Sequence, residues 1–133
     1  ENYLDKYKNI KISLKDFYSF IESTKETSIK SSEEVLELDR KTGNIASNSV
    51  IYSIILRLRG IFIIECLLKN RAYSNSSFKA WISNNIKLDY EKVYEVYRAI
   101  RDNRKIKDRV PLSTGEKLIN FLKMEVKSLS KND

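Results

Sequence analysis

VIYSIILRLRGIFIIECLL, residues 50–68, is the most apolar stretch of the chain. Its length suits a membrane span, yet Arg57, Arg59 and Glu65 lie inside it. An arginine at the centre of a span costs roughly 2.5–3.5 kcal/mol. Two arginines and an acid, set against modestly favourable apolar neighbours, leave insertion marginal at best. The stretch therefore reads as a helix buried on most sides of a helical bundle, or partly in a dimer interface.

The rest of the chain is consistent with this. At 133 residues it is long enough for one domain with a real core and too short for two. Hydrophobic residues make up 41%, too many for a disordered chain. With only 3 Gly and 1 Pro, the tight turns of an all-β domain lack their usual residues. The chain starts at Glu1 rather than Met, as a processed chain or a piece of a longer one would. No signal peptide is visible in residues 1–30.

Upstream, Leu4, Tyr7, Ile10, Leu14, Phe17, Tyr18 and Ile21 recur at three and four, which predicts an amphipathic helix over 2–25. Residues 26–32 read as a connection, with Ser31 or Ser32 capping a second helix over about 33–69. Gly43 weakens that helix, and two helices broken near Gly43 is the alternative. Downstream, 70–77 reads as a loop, and Ser76 or Ser77 starts a short helix, Phe78 to Asn84. Asp89 caps a further helix over 90–108, which Val110-Pro111 interrupts. Ser113 opens STGE, a capping-box pattern with Glu116, ahead of a last helix bearing Leu118, Ile119, Phe121, Leu122, Met124 and Val126. The expected fold is all-α: one domain, an antiparallel bundle of four long helices plus one short helix.

The formal charge is +7, unevenly spread. Residues 31–49 carry Glu33, Glu34, Glu37 and Asp39 against Arg40 and Lys41, a net of −2. Residues 98–109 carry Arg98, Arg101, Arg104, Lys105, Lys107 and Arg109 against Asp102 and Asp108, a net of +4. Such a field permits attraction to nucleic acid or acidic partners.

Most common catalytic apparatus is excluded. There is no histidine and one cysteine, so a zinc site would need unusual ligands and a serine nucleophile would lack its imidazole. Gly43, Gly60 and Gly115 are too far apart to form a phosphate-cradling loop. Cys66, in its apolar run, reads as a small buried hydrophobe, and a lone thiol suits a reducing compartment such as the cytoplasm. No metal, cofactor or membrane anchor is expected.

Two constellations remain. Arg57, Ile61 and Glu65 lie four apart on one helical face. The two charges are either structural ion pairs with the helix over 90–108 or the lining of a cleft or dimer seam. Tyr94, Tyr97, Arg98 and Arg101 fall at i, i+3, i+4 and i+7. Tyrosine rings and arginine planes stack on unpaired bases, and arginine holds phosphate bidentately. Arg104, Lys105, Lys107 and Arg109 continue the positive line as a nucleic-acid patch. The bland alternative makes Tyr97 core and pairs the arginines with Glu95 and Asp102.

RLRGIFIIECLLKNRAYSNSSFKAWI (57–82) followed by YEVYRAIRDNRK (94–105) resembles the helical HEPN-like domains of prokaryotes, above all those fused to, or encoded beside, minimal nucleotidyltransferases in archaea. The resemblance spans roughly residues 50–109. It implies an all-α bundle, a homodimer, and in many members a metal-independent ribonuclease acting as the toxin of a toxin–antitoxin pair. The family motif is an arginine, a polar residue and then a histidine. Arg101-Asp102 matches the first two positions, but the histidine would fall at Ile106, Lys107 or Asp108. The resemblance therefore implies a non-catalytic module that binds a nucleotidyltransferase partner or presents a substrate to it. Arg101 and Asp102 would sit in the cleft, with Arg57, Glu65, Tyr94, Tyr97 and Arg98 around them. A ribonuclease using Arg101, Asp102 and Lys105 or Lys107 without histidine is one alternative. A nucleic-acid-binding protein using the 98–109 patch is the other.

Overall fold

The computed structural model describes residues 12–107 and 109–131. The fold is all-α apart from two strands of two residues each. The helices are α1 (Tyr18–Ser23), α2 (Ile29–Thr42), α3 (Asn48–Leu68), α4 (Asn75–Asn85), α5 (Tyr90–Arg101) and α6 (Leu112–Lys131). The strands are β1 (Ile45–Ala46) and β2 (Val110–Pro111). None of the described helices is long and apolar enough to cross a membrane.

The apolar stretch forms α3, the centre of the core. Ile51, Ile54, Ile55, Leu58 and Ile61 are fully buried there. α2, α5 and α6 pack on it, and α4 packs on α5. Phe78 and Ile82 of α4, Val93 and Val96 of α5, and Leu118 and Leu122 of α6 complete the core. Cys66 is buried among them.

Several boundaries differ from the sequence reading for identifiable reasons. The predicted helix over 2–25 does not pass through residue 13, where the backbone is extended. Ser13 and Asp16 form a capping box that starts a 3₁₀ turn, Leu14–Phe17, leading into α1. Leu4, Tyr7 and Ile10 lie outside the described residues. The predicted connection over 26–32 is helical instead. A π-helical turn, Thr24–Ser28, joins α1 to α2 without a break. No Gly or Pro stands there to stop the helix, and Ile29 and Ser32 are buried, so Ser31 and Ser32 are interior residues rather than caps. Thr24 is buried and its hydroxyl donates to the Phe20 carbonyl at 2.8 Å, a back-bond that accompanies the widened turn. Finally, the predicted helix over 90–108 ends at Arg101. Asn103 adopts a left-handed φ of 55°, and the Arg104 N–H donates to the Ala99 carbonyl at 2.7 Å. This is a Schellman-type stop. Asn70 ends α3 the same way, with φ 54° and an Arg71 N–H to Cys66 carbonyl bond of 2.8 Å.

The long second helix is broken at Gly43, as the alternative reading had it. α2 ends at Thr42 and α3 starts at Asn48. The Asp39 carboxylate spans the break, accepting the Ser47 N–H at 2.7 Å and the Ser47 hydroxyl at 2.6 Å. β1 then pairs antiparallel with β2, Ile45 opposite Pro111 and Ala46 opposite Val110. The two interruptions of the helical chain are thus tied to each other. The Leu112 N–H donates to the Asn44 carbonyl at 2.7 Å, so α6 starts one residue before Ser113. Glu116 does not complete a box with Ser113; its carboxylate pairs with Arg40 at 3.0 Å. Gly115 lies where α6 meets β1 and α2. A Cβ there would stand 3.1 Å from Ala46 and 3.2 Å from Leu36, so a side chain would have to press these neighbours back by a few tenths of an ångström. Asp89 caps α5 as expected, accepting the Lys92 N–H at 3.2 Å. α4 is capped by Ser74 rather than Ser76 or Ser77, in a reciprocal box with Ser77.

Candidate functional site

The sequence placed Arg57, Glu65, Tyr94, Tyr97, Arg98, Arg101 and Asp102 around one cleft. The structure distributes them over three places.

The α5 residues do come together. Tyr90, Tyr94, Tyr97 and, from α3, Tyr52 stack in a row with ring centroids 5.4, 5.4 and 5.2 Å apart. Tyr97 is 2% exposed, so its ring is core and not a platform for an incoming base. Burial pushes the Tyr90 hydroxyl above its usual range. Arg98 lies over Tyr94 at 5.4 Å and Arg101 over Tyr97 at 5.8 Å, within cation–π range.

The α5 arginines are also paired. Arg98 reaches Glu95 at 2.9 Å, and Arg104, beyond the helix end, reaches the other oxygen of Glu95 at 2.9 Å. Arg101 donates to both oxygens of its neighbour Asp102, at 3.1 and 3.3 Å. The bonds to Arg104 and Arg101 hold the Glu95 and Asp102 carboxyls below their usual range. Asp102 in turn raises the Arg101 guanidinium. Three arginines thus share two carboxylates.

The loop after α5 is different. Lys105, Lys107 and Arg109 are exposed and make no ion pair among the described residues. Ile106 packs against the core between the two lysines and anchors the loop. A hollow of about 220 Å³ lies between this loop and α5, lined by Glu95, Val96, Ala99, Arg104, Lys105 and Lys107.

Arg57 and Glu65 do not join this group. Arg57 sits over the Phe20 ring at 5.0 Å and donates to the Thr24 hydroxyl at 3.2 Å, at the π-helical turn. Glu65 lies two turns further along α3, in a cavity of about 360 Å³ with Leu14, Leu68, Lys69, Glu125 and Leu129. Its Oε2 is buried and has no hydrogen-bond partner among the described residues. Burial, and then the Glu125 carboxyl, push Glu65 up to about 7. Neither side chain forms the expected ion pair with α5. Ile61, midway between them, is fully buried, and the ends of that face meet different elements.

One residue was missed. Arg59 donates to the Tyr73 hydroxyl at 2.8 Å and to the Tyr97 hydroxyl at 3.2 Å, and lies over the Tyr73 ring at 5.4 Å. The bond to Tyr97 raises its guanidinium. The available signal was the cost of an arginine in an apolar helix, which requires polar partners, together with tyrosines nearby to supply them.

Among the described residues no three His, Cys, Asp or Glu side chains come together in a group that would hold a metal ion. No family model matches the chain, and neither a curated protein nor a solved structure matches it.

Proposed function

We propose that the chain is a non-catalytic, HEPN-like helical module that holds a phosphate-bearing substrate, RNA or a nucleotide, for a nucleotidyltransferase partner. In this reading it works in the cytoplasm as a homodimer, within a toxin–antitoxin-like pair. Its architecture is an antiparallel bundle of four long helices and one short helix.

The loop beside α5 carries the reading. Lys105, Lys107 and Arg109 stand exposed and without an ion pair among the described residues, next to a hollow that Arg104 also lines. The absence of histidine from the whole chain supports binding over cleavage, because the family position for the general acid–base is empty of one. The dimer is supported by the outer face of α3. Leu56 and Leu67 are each 42% exposed there, with Ile63 between them, while Gly60 is covered by this chain's own Phe20 ring.

The test is fluorescence anisotropy of a short labelled single-stranded RNA in EDTA over a salt series. Three phosphate contacts predict a slope of log K against log salt of about −2, since each single-strand contact contributes about −0.7. The triple variant Lys105→Ala, Lys107→Ala, Arg109→Ala should flatten the slope and lose most of the affinity. A salt-insensitive complex, or equal binding by the variant, removes the loop from the function. Cleavage of the RNA by the wild type and not by Arg101→Ala would replace this reading with that of a histidine-free ribonuclease.

A further inference from the structure

A second basic surface lies elsewhere, on residues the proposed function does not use. Between α2 and the C-terminal half of α6 runs an open groove of about 410 Å³. Its floor is apolar, formed by Ile29 and Val126; Lys25, Lys30 and Glu33 stand on one bank, Lys123 and Lys127 on the other, four cations against one carboxylate. Lys30 pairs with Glu26 at 3.2 Å and Lys123 with Glu33 at 2.9 Å. Lys25 and Lys127 make no ion pair among the described residues. Lys25 lies within the π-helical turn Thr24–Ser28, and Ile29 is the first residue after it. Such turns are rare in helices and recur at functional sites.

We propose that this groove docks an acidic, amphipathic helix of a partner protein. The chemistry narrows the occupant. Lys25 and Lys127, the cations without an ion pair among the described residues, stand on opposite banks of an apolar floor and match a segment with apolar side chains on one edge and a carboxylate on each flank. A third helix laid between α2 and α6 extends the packing already present. Among the described residues no aromatic side chain lines the groove, so they offer an unpaired base nothing to stack on there. From Lys123 to Ser130 the groove spans about 10 Å of helix, or two turns, which gives the ligand two apolar anchors at i and i+4. The groove shares no residue with α5 or its loop, so it can hold a partner while the loop holds a substrate.

The probe is a labelled synthetic helical peptide with leucines at i and i+4 and glutamates on either side. A matched peptide carries glutamine in place of glutamate. Anisotropy with the full chain should give saturable binding of the acidic peptide, weakened about tenfold or more for the glutamine peptide. Lys25→Glu with Lys127→Glu should lose the acidic peptide by a similar factor while the circular-dichroism melt stays unchanged, since both side chains are exposed. Lys105→Ala with Lys107→Ala should leave peptide binding intact. No saturable binding, equal binding of the two peptides, or binding unaffected by the charge reversal overturns the proposal. So does displacement of the peptide by single-stranded RNA, which would make the groove a phosphate site. Because the loop variants report on RNA and the groove variants on peptide, either assignment can fail while the other stands.

Discussion

Glu65→Gln should stabilise the protein above neutral pH and do little below it. Burial first, and then the Glu125 carboxyl, raise the Glu65 pKa from its ordinary 4.5 to about 7. A carboxyl whose pKa is raised on folding favours the folded state while it is protonated. That contribution is fully present below about 4.5 and is lost as pH rises through about 7. At full weight the shift corresponds to about 3 kcal/mol, at about 1.4 kcal/mol per pH unit. The side chain is only half-buried, so solvent screening reduces this to about 1–1.5 kcal/mol. Glutamine keeps the shape, cannot ionise, and offers an N–H to Glu125. Urea unfolding at about pH 5 should therefore find variant and wild type within about 0.5 kcal/mol, and at about pH 8.5 should find the variant more stable by about 1–1.5 kcal/mol. For a chain of this length that gain is a rise in Tm of about 4–5 °C. A gain of equal size at both pH values would show that the effect is packing and not ionisation. A loss at the higher pH would show that the carboxylate has a favourable partner and that the reasoning fails.

Two further substitutions test the joints of the fold. Asp39→Ala removes the acceptor for both the N–H and the hydroxyl of Ser47 across the α2–α3 break. It should cost about 1–2 kcal/mol in urea unfolding; an unchanged midpoint would mean that the β1–β2 pairing alone holds that break. Tyr97→Phe keeps the ring stack and removes one of the two hydroxyls to which Arg59 donates. A loss of about 1 kcal/mol with RNA affinity unchanged is expected; reduced RNA affinity at unchanged stability would move Tyr97 from the core into the binding surface.

Much of the fold was legible because it rests on strong, local signals. The run 50–68 had to be buried, and it is α3. Asp89 before a helical period had to be a cap, and it is. The misreadings fall where a signal was ambiguous or non-local. Residues 26–32 are polar and looked like a loop, but polarity alone does not end a helix when no Gly or Pro is present. Asn70 and Asn103 end helices through left-handed backbone that asparagine tolerates, a feature composition does not announce. In NRAYSNSS several serines could cap, and the choice of Ser74 follows from its reciprocal bonds with Ser77. The candidate site was harder. Arg57 and Glu65 share a helical face, but eight residues separate them, about 12 Å along the axis, and each end of the face meets a different neighbour. The helix that carries them does not reveal those neighbours.

The charge count over 98–109 shows how far such a sum can mislead and what it still holds. On the helix and just past its end the arginines are committed: Arg98 and Arg104 to Glu95, Arg101 to Asp102, with two of them over tyrosine rings. Their positive charge is largely neutralised at contact distance, and a phosphate would have to compete with a carboxylate already in place. Past the Schellman-type stop at Asn103 the chain leaves the helix, and over residues 105–109 three cations stand against the single carboxylate of Asp108. Lys105, Lys107 and Arg109 there face water with no ion pair among the described residues. The available field is thus concentrated on the loop, anchored by Ile106 and Val110, while the helix before it serves as scaffold. Phosphate affinity should accordingly follow the loop cations more closely than Arg98 or Arg101, although the arginines are the residues that the sequence pattern singles out.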